Sequence, residues 1–248
     1  MWLFLNLVIL FFYFLFASFF FVLLYFFGIL PNKTQVRYKF NILDFYLDFL
    51  KMLSYDFQHY DKDAFKESGI VIYVGNQGSG KTISMIHDVL MISHKYPKAK
   101  IMTNVGLNLD HQDLNSPEDL LSFTNGIYGV ITPIDELGVL FNSRKFKEFP
   151  PEMCQVIFEN RKSRRLLLGS VQKLHLMDKN LRCQVSTIKR CFTLFNVLSG
   201  YIKQYPNFDS DGNIVSSRFA GIHFYIQSQD LRNCYDTYEV IRKFSGKD

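Results

Sequence analysis

The stretch "IVIYVGNQGSGKTISM", residues 70–85, decides how this chain folds. Ile70 to Val74 reads as a short apolar strand. A glycine-rich loop follows. From Thr82 to Ser93, Ile83, Ile86 and Leu90 recur on one face of a helix. Gly75, Gly80, Lys81 and Thr82 match the spacing G-x-x-x-x-G-K-[ST], with Asn76, Gln77, Gly78 and Ser79 between them. Such glycines let backbone N–H groups turn inward around phosphate oxygens. The lysine reaches the β- and γ-phosphates, and the next hydroxyl meets Mg²⁺. Residues 75–82 are therefore the expected nucleotide loop, with ATP and Mg²⁺ as cofactors and Thr82 as a metal ligand. The strand before it and the helix after it make a chance glycine turn the poorer reading.

Downstream the strand-then-helix rhythm continues. "KIMTNV" (100–105) reads as a second strand, and Ser116 with Asp119 as an imperfect capping box before a short helix. "GIYGVITPID" (126–135) reads as a third strand, although Pro133 is awkward in a central one. Pro150 and Pro151 open a helix expected to reach about Lys162, and "RLLLGSV" (165–171) reads as a fourth strand. Alternation of this kind predicts an α/β fold: a mostly parallel central sheet flanked by helices. Residues 184–205 and 214–227 carry β-type alternation joined by "YPNFDSDGNI", which predicts a C-terminal β-hairpin with a long polar loop.

Two further elements suit phosphate chemistry. "VITPIDE" ends in an acidic pair at a predicted strand end. Asp135 would hold the metal, directly or through water, and Glu136 would polarise an attacking water. The same pair also fits a helix N-terminus, and both readings can hold at once. Gln172 follows the fourth strand directly, which places it at the carboxyl edge of the sheet to orient water or sense a γ-phosphate. Arg161 in "NRKSRR" and Arg182 in "MDKNLR" are candidates to complete a neighbouring subunit's site. A solvated basic face, or contact with DNA phosphates, is the competing reading for each.

Upstream, the first charged side chain is Lys33, and from Trp2 to Leu30 only Asn6 and Ser18 are plainly polar. That run exceeds the roughly 20 residues needed to span a bilayer, and it lacks the basic start and small-residue cleavage site of a signal peptide. Residues 1–32 are expected to be a single transmembrane helix. Lys33, Arg37 and Lys39 follow it and nothing basic precedes it, so the N-terminus should lie outside and the remainder in the cytoplasm. Residues 33–68 read as a membrane-proximal connector whose Ile42, Phe45, Tyr46, Phe49, Leu50 and Leu53 recur at helical spacing. Packing of that helix on the soluble body is the expectation, because Asp44 and Asp48 suit an anionic surface poorly. Residues 69–240 form the expected nucleotide-binding domain and 241–248 a tail.

The 248 residues carry a net charge of +5, too modest to name a partner. The four cysteines form no C-x-x-C pair, and the six histidines show no paired ligand spacing. "NFDSDGNIVSSR" opens like a calcium loop, but the twelfth position is Arg218, so a hairpin turn is expected there.

With "GNQGSGKT" (75–82), "MTNV" (102–105), "VITPIDELGVLFNSR" (130–144) and "RRLLLGSVQKLHLMDKNLR" (164–182) in order, the chain resembles the Zot-like ATPases of filamentous phages, the morphogenesis protein I family, which belong with the FtsK/HerA motors. "YDTYE" (235–239) resembles a tail seen in such sequences. The resemblance implies a P-loop ATPase that drives assembly and extrusion of a single-stranded DNA virion through the host inner membrane. It implies a homo-oligomeric ring, six subunits being one option, and partners that include the bilayer, single-stranded DNA or the nucleoprotein virion, and phage coat and assembly proteins. Carried over, Lys81 and Thr82 hold nucleotide, Asp135 and Glu136 serve metal and hydrolysis, Gln172 senses, and Arg182 or Arg161 acts in trans. The family places the ATPase before the span. Here the span comes first, which suits a host with one membrane or a partner that supplies an outer part. Conjugative DNA transfer, genome packaging and a nucleotide-dependent scaffold without turnover are the other readings.

Overall fold

The structure, a computed structural model, describes residues 2–27, 41–116, 118–140, 160–209 and 211–236. The chain divides into two compact units, Met1–Lys62 and Asp63–Asp248.

The first unit holds α1 (Trp2–Phe26) and α2 (Ile42–Gln58). Within α1, Asn6–Tyr25 is long and apolar enough to cross a membrane. Two ring contacts tie the helices together: Tyr46 lies against Phe14, centroids 4.7 Å apart, and Lys51 lies over Tyr25.

The second unit is built on an eight-stranded sheet in the order β4-β2-β5-β6-β1-β7-β8-β9. β4 (Gln112–Asp113), β2 (Lys100–Thr103), β5 (Val130–Ile134), β6 (Arg165–Val171), β1 (Gly69–Val74) and β7 (Val185–Leu194) run parallel. β8 (Leu198–Phe208) and β9 (Ile214–Ile226) close one edge antiparallel. A two-stranded ribbon pairs β3 (Gly106–Leu107) with β10 (Tyr235–Asp236). Every residue of β5 and β6 is buried, as central strands covered on both faces must be. On one face α3 (Lys81–Lys95) packs Met85, Ile86 and Val89 against Tyr73, Ile131 and Leu168. On the other, Ile72, Leu167 and Val171 meet Leu137 and Leu181. This is the α/β P-loop architecture, with one apolar N-terminal helix.

Three expectations change in detail. The third strand begins at Val130, not Gly126: Gly126–Tyr128 forms a 3-10 turn, and Gly129 (φ 68°) lies against the Phe65 ring, where no Cβ would fit. The segment 184–205 is two strands, not one, so the C-terminal hairpin is a three-strand meander. Phe195 and Asn196 both take φ 53°, and Val197 N–H closes the turn on Leu194 O at 3.2 Å. Pro133 sits centrally after all. The β2–β5 ladder ends at Ile101 and Ile131, and beyond it Thr103 Oγ1 donates to Pro133 O at 2.7 Å, so the missing N–H leaves no partner wanting.

Asp209 accepts from the backbone N–H groups of Asp211 and Asn213 at 2.9 and 2.7 Å and organises the hairpin turn itself. The N-cap of α4 (Asp119–Ser122) is Glu118, not Ser116, and no side chain caps it; Asp119 instead accepts from Ser116 N–H at 2.8 Å. The helix expected from Pro150 lies outside the described residues as far as 159. Residues 160–164 form a turn.

Candidate nucleotide site

Because β1, β5 and β6 are parallel neighbours, their carboxyl ends fall on one edge. β1 ends in the glycine loop, β5 ends at Asp135, and β6 between them ends at Gln172. The loop's shape follows from its glycines. Gly78 and Gly80 take φ 77° and 82°, where a side chain is strained, and a Cβ on Gly80 would collide with Thr193 Oγ1. Gly80 is also the N-cap of α3, so the helix opens directly from the loop. Lys81, buried, donates Nζ to Asn76 O at 3.0 Å and closes the loop on itself.

Residues 53 positions apart meet here. Thr82 Oγ1 lies 3.1 and 3.2 Å from Asp135 Oδ1 and Oδ2. Asp135 is itself held from several sides. Ser170 Oγ on β6 donates to Asp135 Oδ1 and accepts the Glu136 N–H at 3.0 Å. Asn104, at the end of β2, makes a two-way contact. Its Nδ2 donates to Asp135 O at 3.0 Å, and its Oδ1 accepts the Asp135 N–H at 2.9 Å. Glu136 is half-buried and takes φ 52°, an uncommon conformation for a non-glycine residue and one that concentrates at functional sites. α5 (Leu137–Leu140) starts directly after the acidic pair.

A cleft of about 660 Å³ runs along one side of the loop, lined by Gly75, Asn76, Gln77, Gly78 and Ser79 with Gln172, Lys173, Arg190 and Phe192. A second, about 320 Å³, lies beside Lys81 and Thr82 and is walled by Asn196, Gln227, Arg232 and Tyr235. The Tyr235 hydroxyl titrates above its ordinary range, because it is half-buried and because Asp135 carries negative charge nearby.

Arg161 and Arg182 do not join this edge. Arg161 lies in the exposed turn before β6, at the end where the parallel strands begin. Arg182 sits on α6 (Lys179–Cys183), just before β7 begins, beside the Gly212 turn at the far end of the β8–β9 hairpin. Arg190 and Arg232, which the sequence reading passed over, line the clefts instead. Arg190 has only Lys189 beside it and Arg232 has no adjacent basic residue, so neither stands out in the linear sequence. For Tyr235, "YDTYE" was a signal. For Asn104, "MTNV" was.

Behind the loop, α3 is anchored by a buried polar cluster. Asp88 on α3 pairs with Lys189 on β7 and accepts from the hydroxyls of Tyr73 and Tyr201, the latter at 3.0 Å. Lys189 Nζ lies 4.4 Å from the centre of the Tyr201 ring. Burial works against ionisation of Asp88, but contact with His87, the charge of Lys189 and the Tyr73 hydroxyl outweigh it and hold its carboxyl at about 2. Burial pushes the Tyr73 and Tyr201 hydroxyls up, reinforced by the Asp88 charge. One turn earlier, Ser84 Oγ meets Tyr225 OH on β9 at 2.8 Å.

The site suits a magnesium nucleotide. Thr82 and Asp135 offer hard oxygen donors only, and among the described residues no three His, Cys, Asp or Glu side chains gather into a cage. One carboxylate and one hydroxyl are what a magnesium ion takes from protein when phosphates and waters fill its other positions. The Ser79 hydroxyl, buried inside the loop and without a partner among the described residues, is a further polar atom suited to a phosphate oxygen.

No protein-family model matches this sequence, nor does any curated protein. Several solved structures are similar in fold. The N-terminal domain of zonular occludens toxin from Neisseria meningitidis is 18% identical, with a TM-score of 0.49 over 69% of this chain and 100% of that one. The genome packaging NTPase B204 of Sulfolobus turreted icosahedral virus 2, in complex with ATP-gammaS, is 14% identical, with a TM-score of 0.41 over 65% of this chain and 98% of that one. Flagellar accessory protein FlaH from Methanocaldococcus jannaschii is 8% identical, with a TM-score of 0.38 over 64% and 89%. At such identities and scores these likenesses carry no argument about the site, which stands on its own geometry.

Proposed function

We propose that this chain is a membrane-anchored ATPase that drives a filamentous single-stranded DNA phage through the host inner membrane. The observation that carries the catalytic part is the 3.1 Å contact between Thr82 and Asp135, which brings the glycine loop and the acidic pair to one point. In this reading the N–H groups of residues 75–82 and the Lys81 ammonium hold the triphosphate, and Thr82 and Asp135 hold Mg²⁺. The ion, when bound, neutralises charge developing between the outer phosphates. Asn104 and Ser170 keep the Asp135 carboxylate aimed at Thr82. Glu136 takes the proton of the attacking water, and Gln172 orients that water from the intervening strand. Arg161 or Arg182, presented by the next subunit of a ring, steadies the transferring phosphoryl group.

α1 anchors the chain with its N-terminus outside, and residues past the span work in the cytoplasm, where ATP is abundant. The cargo, virion or its single-stranded DNA, rests on the sequence resemblance, and basic side chains would hold phosphates without reading bases. The test is turnover by the detergent-solubilised chain with ATP and magnesium, with its mass measured in parallel. Turnover that Lys81→Ala abolishes, in a species larger than a monomer, is the expected result. Full turnover in Lys81→Ala overturns the site. A monomer under all conditions overturns the motor, and binding without turnover even with DNA present makes the chain a scaffold.

A further inference from the structure

We infer that the cleft beside Lys81 and Thr82 seats the nucleoside of the bound nucleotide, and that Gln227 selects its base by accepting from a 6-amino group. The inference rests on the reading that a magnesium triphosphate sits at Thr82 and Asp135. Two clefts flank the loop, and a nucleotide has two ends. The larger cleft holds Gln172, the residue set to meet the γ-phosphate. The smaller starts from Gly80, Lys81, Thr82 and Ile83, where loop becomes helix. With the outer phosphates turned towards Gln172, the α-phosphate and sugar leave past this first turn of α3. The space they enter, about 320 Å³, is at the lower end of the range for small-molecule sites.

Its walls suit a flat heterocycle. Tyr235 brings a ring and Arg232 a planar guanidinium, both surfaces on which bases stack. Each is held from behind. Tyr235 pairs with Leu107 in the β3–β10 ribbon, and Arg232 Nη2 donates to Asn196 O at the β7–β8 turn. Gln227, directly after β9, donates its backbone N–H to Val197 O at 2.8 Å on the same turn. Its side-chain amide is oriented as well. Gln227 Nε2 donates to Ser199 Oγ at 2.6 Å, and Ser199 Oγ lies 2.7 Å from Thr193 Oγ1, the hydroxyl set against Gly80. This relay registers the amide to the phosphate loop. With Nε2 turned to Ser199, the carbonyl oxygen is the end left to offer, and no described residue donates to it. An acceptor there takes a hydrogen from the 6-amino group of adenine. It opposes the 6-oxo group of guanine or hypoxanthine, which is itself an acceptor.

Binding of ATP, inosine triphosphate and tripolyphosphate to the full chain in detergent, each with magnesium, tests this. Inosine triphosphate exchanges the 6-amino group for an oxo group, and tripolyphosphate lacks the nucleoside. The natural chain should bind ATP roughly tenfold tighter than inosine triphosphate, the effect of one hydrogen bond lost and opposed. Gln227→Met should bring that ratio towards one. Tyr235→Leu should lower the affinity for ATP relative to tripolyphosphate by about tenfold, because stacking is lost. Should Gln227→Met fail to bind tripolyphosphate, Ser199→Ala takes its place. It keeps Gln227 but frees the amide to turn, and it should narrow the ratio too. Equal binding of ATP and inosine triphosphate by the natural chain, or a ratio that the variant leaves unchanged, overturns selection by Gln227. An unchanged ATP-to-tripolyphosphate ratio in Tyr235→Leu overturns the seat itself. In each of these cases tripolyphosphate still binds, so the phosphate site stands. Absence of magnesium-dependent binding by ATP and tripolyphosphate alike overturns the Thr82–Asp135 reading and this inference with it.

Discussion

Asn104 shows why a single side chain can decide whether two loops meet. The β2–β5 ladder stops two residues short of Thr103, so nothing in the backbone holds the end of β2 to the end of β5. The Asn104 amide restores the connection, donating to Asp135 O and accepting from Asp135 N–H. Asn104→Asp keeps the shape but removes the donor, and it brings a second carboxylate towards Asp135. We expect it to lower stability by about 1–3 kcal/mol, the usual penalty for an orphaned buried group, and to weaken magnesium-nucleotide binding more than nucleotide binding alone. Denaturant midpoints and titrations with and without magnesium check both parts. Glu136 contributes differently, since among the described residues its carboxylate has no structural partner to lose. Glu136→Gln should bind nucleotide normally while turnover falls by roughly 10²–10⁴, the range for a lost general base, and a comparison of binding with steady-state rate tests it. The types and spacing of these residues were legible in the sequence. Their contacts were not: although MTNV flagged Asn104, the hydrogen bonds that Ser170 and Asn104 make to Asp135 appear only once β6 and β2 are seated on either side of β5.

At the scale of elements, the sheet was read most reliably where strands are buried on both faces. β1 is an unbroken apolar run, β6 carries one in Leu166–Leu168, and the expected spans 70–74 and 165–171 fall within a residue of the observed strands. The meander was read less well. Its first turn, through Phe195 and Asn196, has no glycine to announce two positive φ angles, so β7 and β8 looked continuous. That mistake hid the contact that fastens the nucleotide helix to the added strands, where Asp88 of α3 pairs with Lys189 of β7 among Tyr73 and Tyr201. Both side chains are nearly buried, so removing one leaves the other uncompensated. Asp88→Asn and Lys189→Met should each cost about 3–5 kcal/mol, and the double variant much less than their sum. A thermal or urea double-mutant cycle reads the difference. The acid sensitivity has a definite sign. The Asp88 carboxyl titrates near 3.9 in an unfolded chain and at about 2 here, so its stabilisation is complete above about pH 4 and drains away as the pH falls towards 2. Urea midpoints across that window should fall steeply for the natural chain and less for Asp88→Asn.

The whole molecule divides where composition and contacts both change. Met1–Lys62 is a helical pair whose exposed surface is rich in phenylalanine, and Asp63–Asp248 encloses both layers of core around the sheet. A helix long and apolar enough to span a bilayer was legible because length and apolarity alone define it. α2 was legible as a helix but not as a surface, because periodicity shows which residues share a face and not what covers it. The second unit contains every residue placed at the nucleotide edge, from Gly75 to Tyr235, together with the Asp88 cluster that supports the loop's helix. A piece spanning residues 63–248 should therefore unfold cooperatively on its own and bind magnesium nucleotide within about a factor of two of the full chain, as distant, independent parts do. It should do so without detergent, since the large apolar residues of α1 and α2 are gone. Calorimetry and nucleotide titration on that piece decide the matter. Loss of cooperative unfolding, or of nucleotide affinity by a factor of ten or more, which is about 1.4 kcal/mol, would mean that the helical pair is part of the nucleotide-binding fold and that the boundary at Asp63 does not separate independent units.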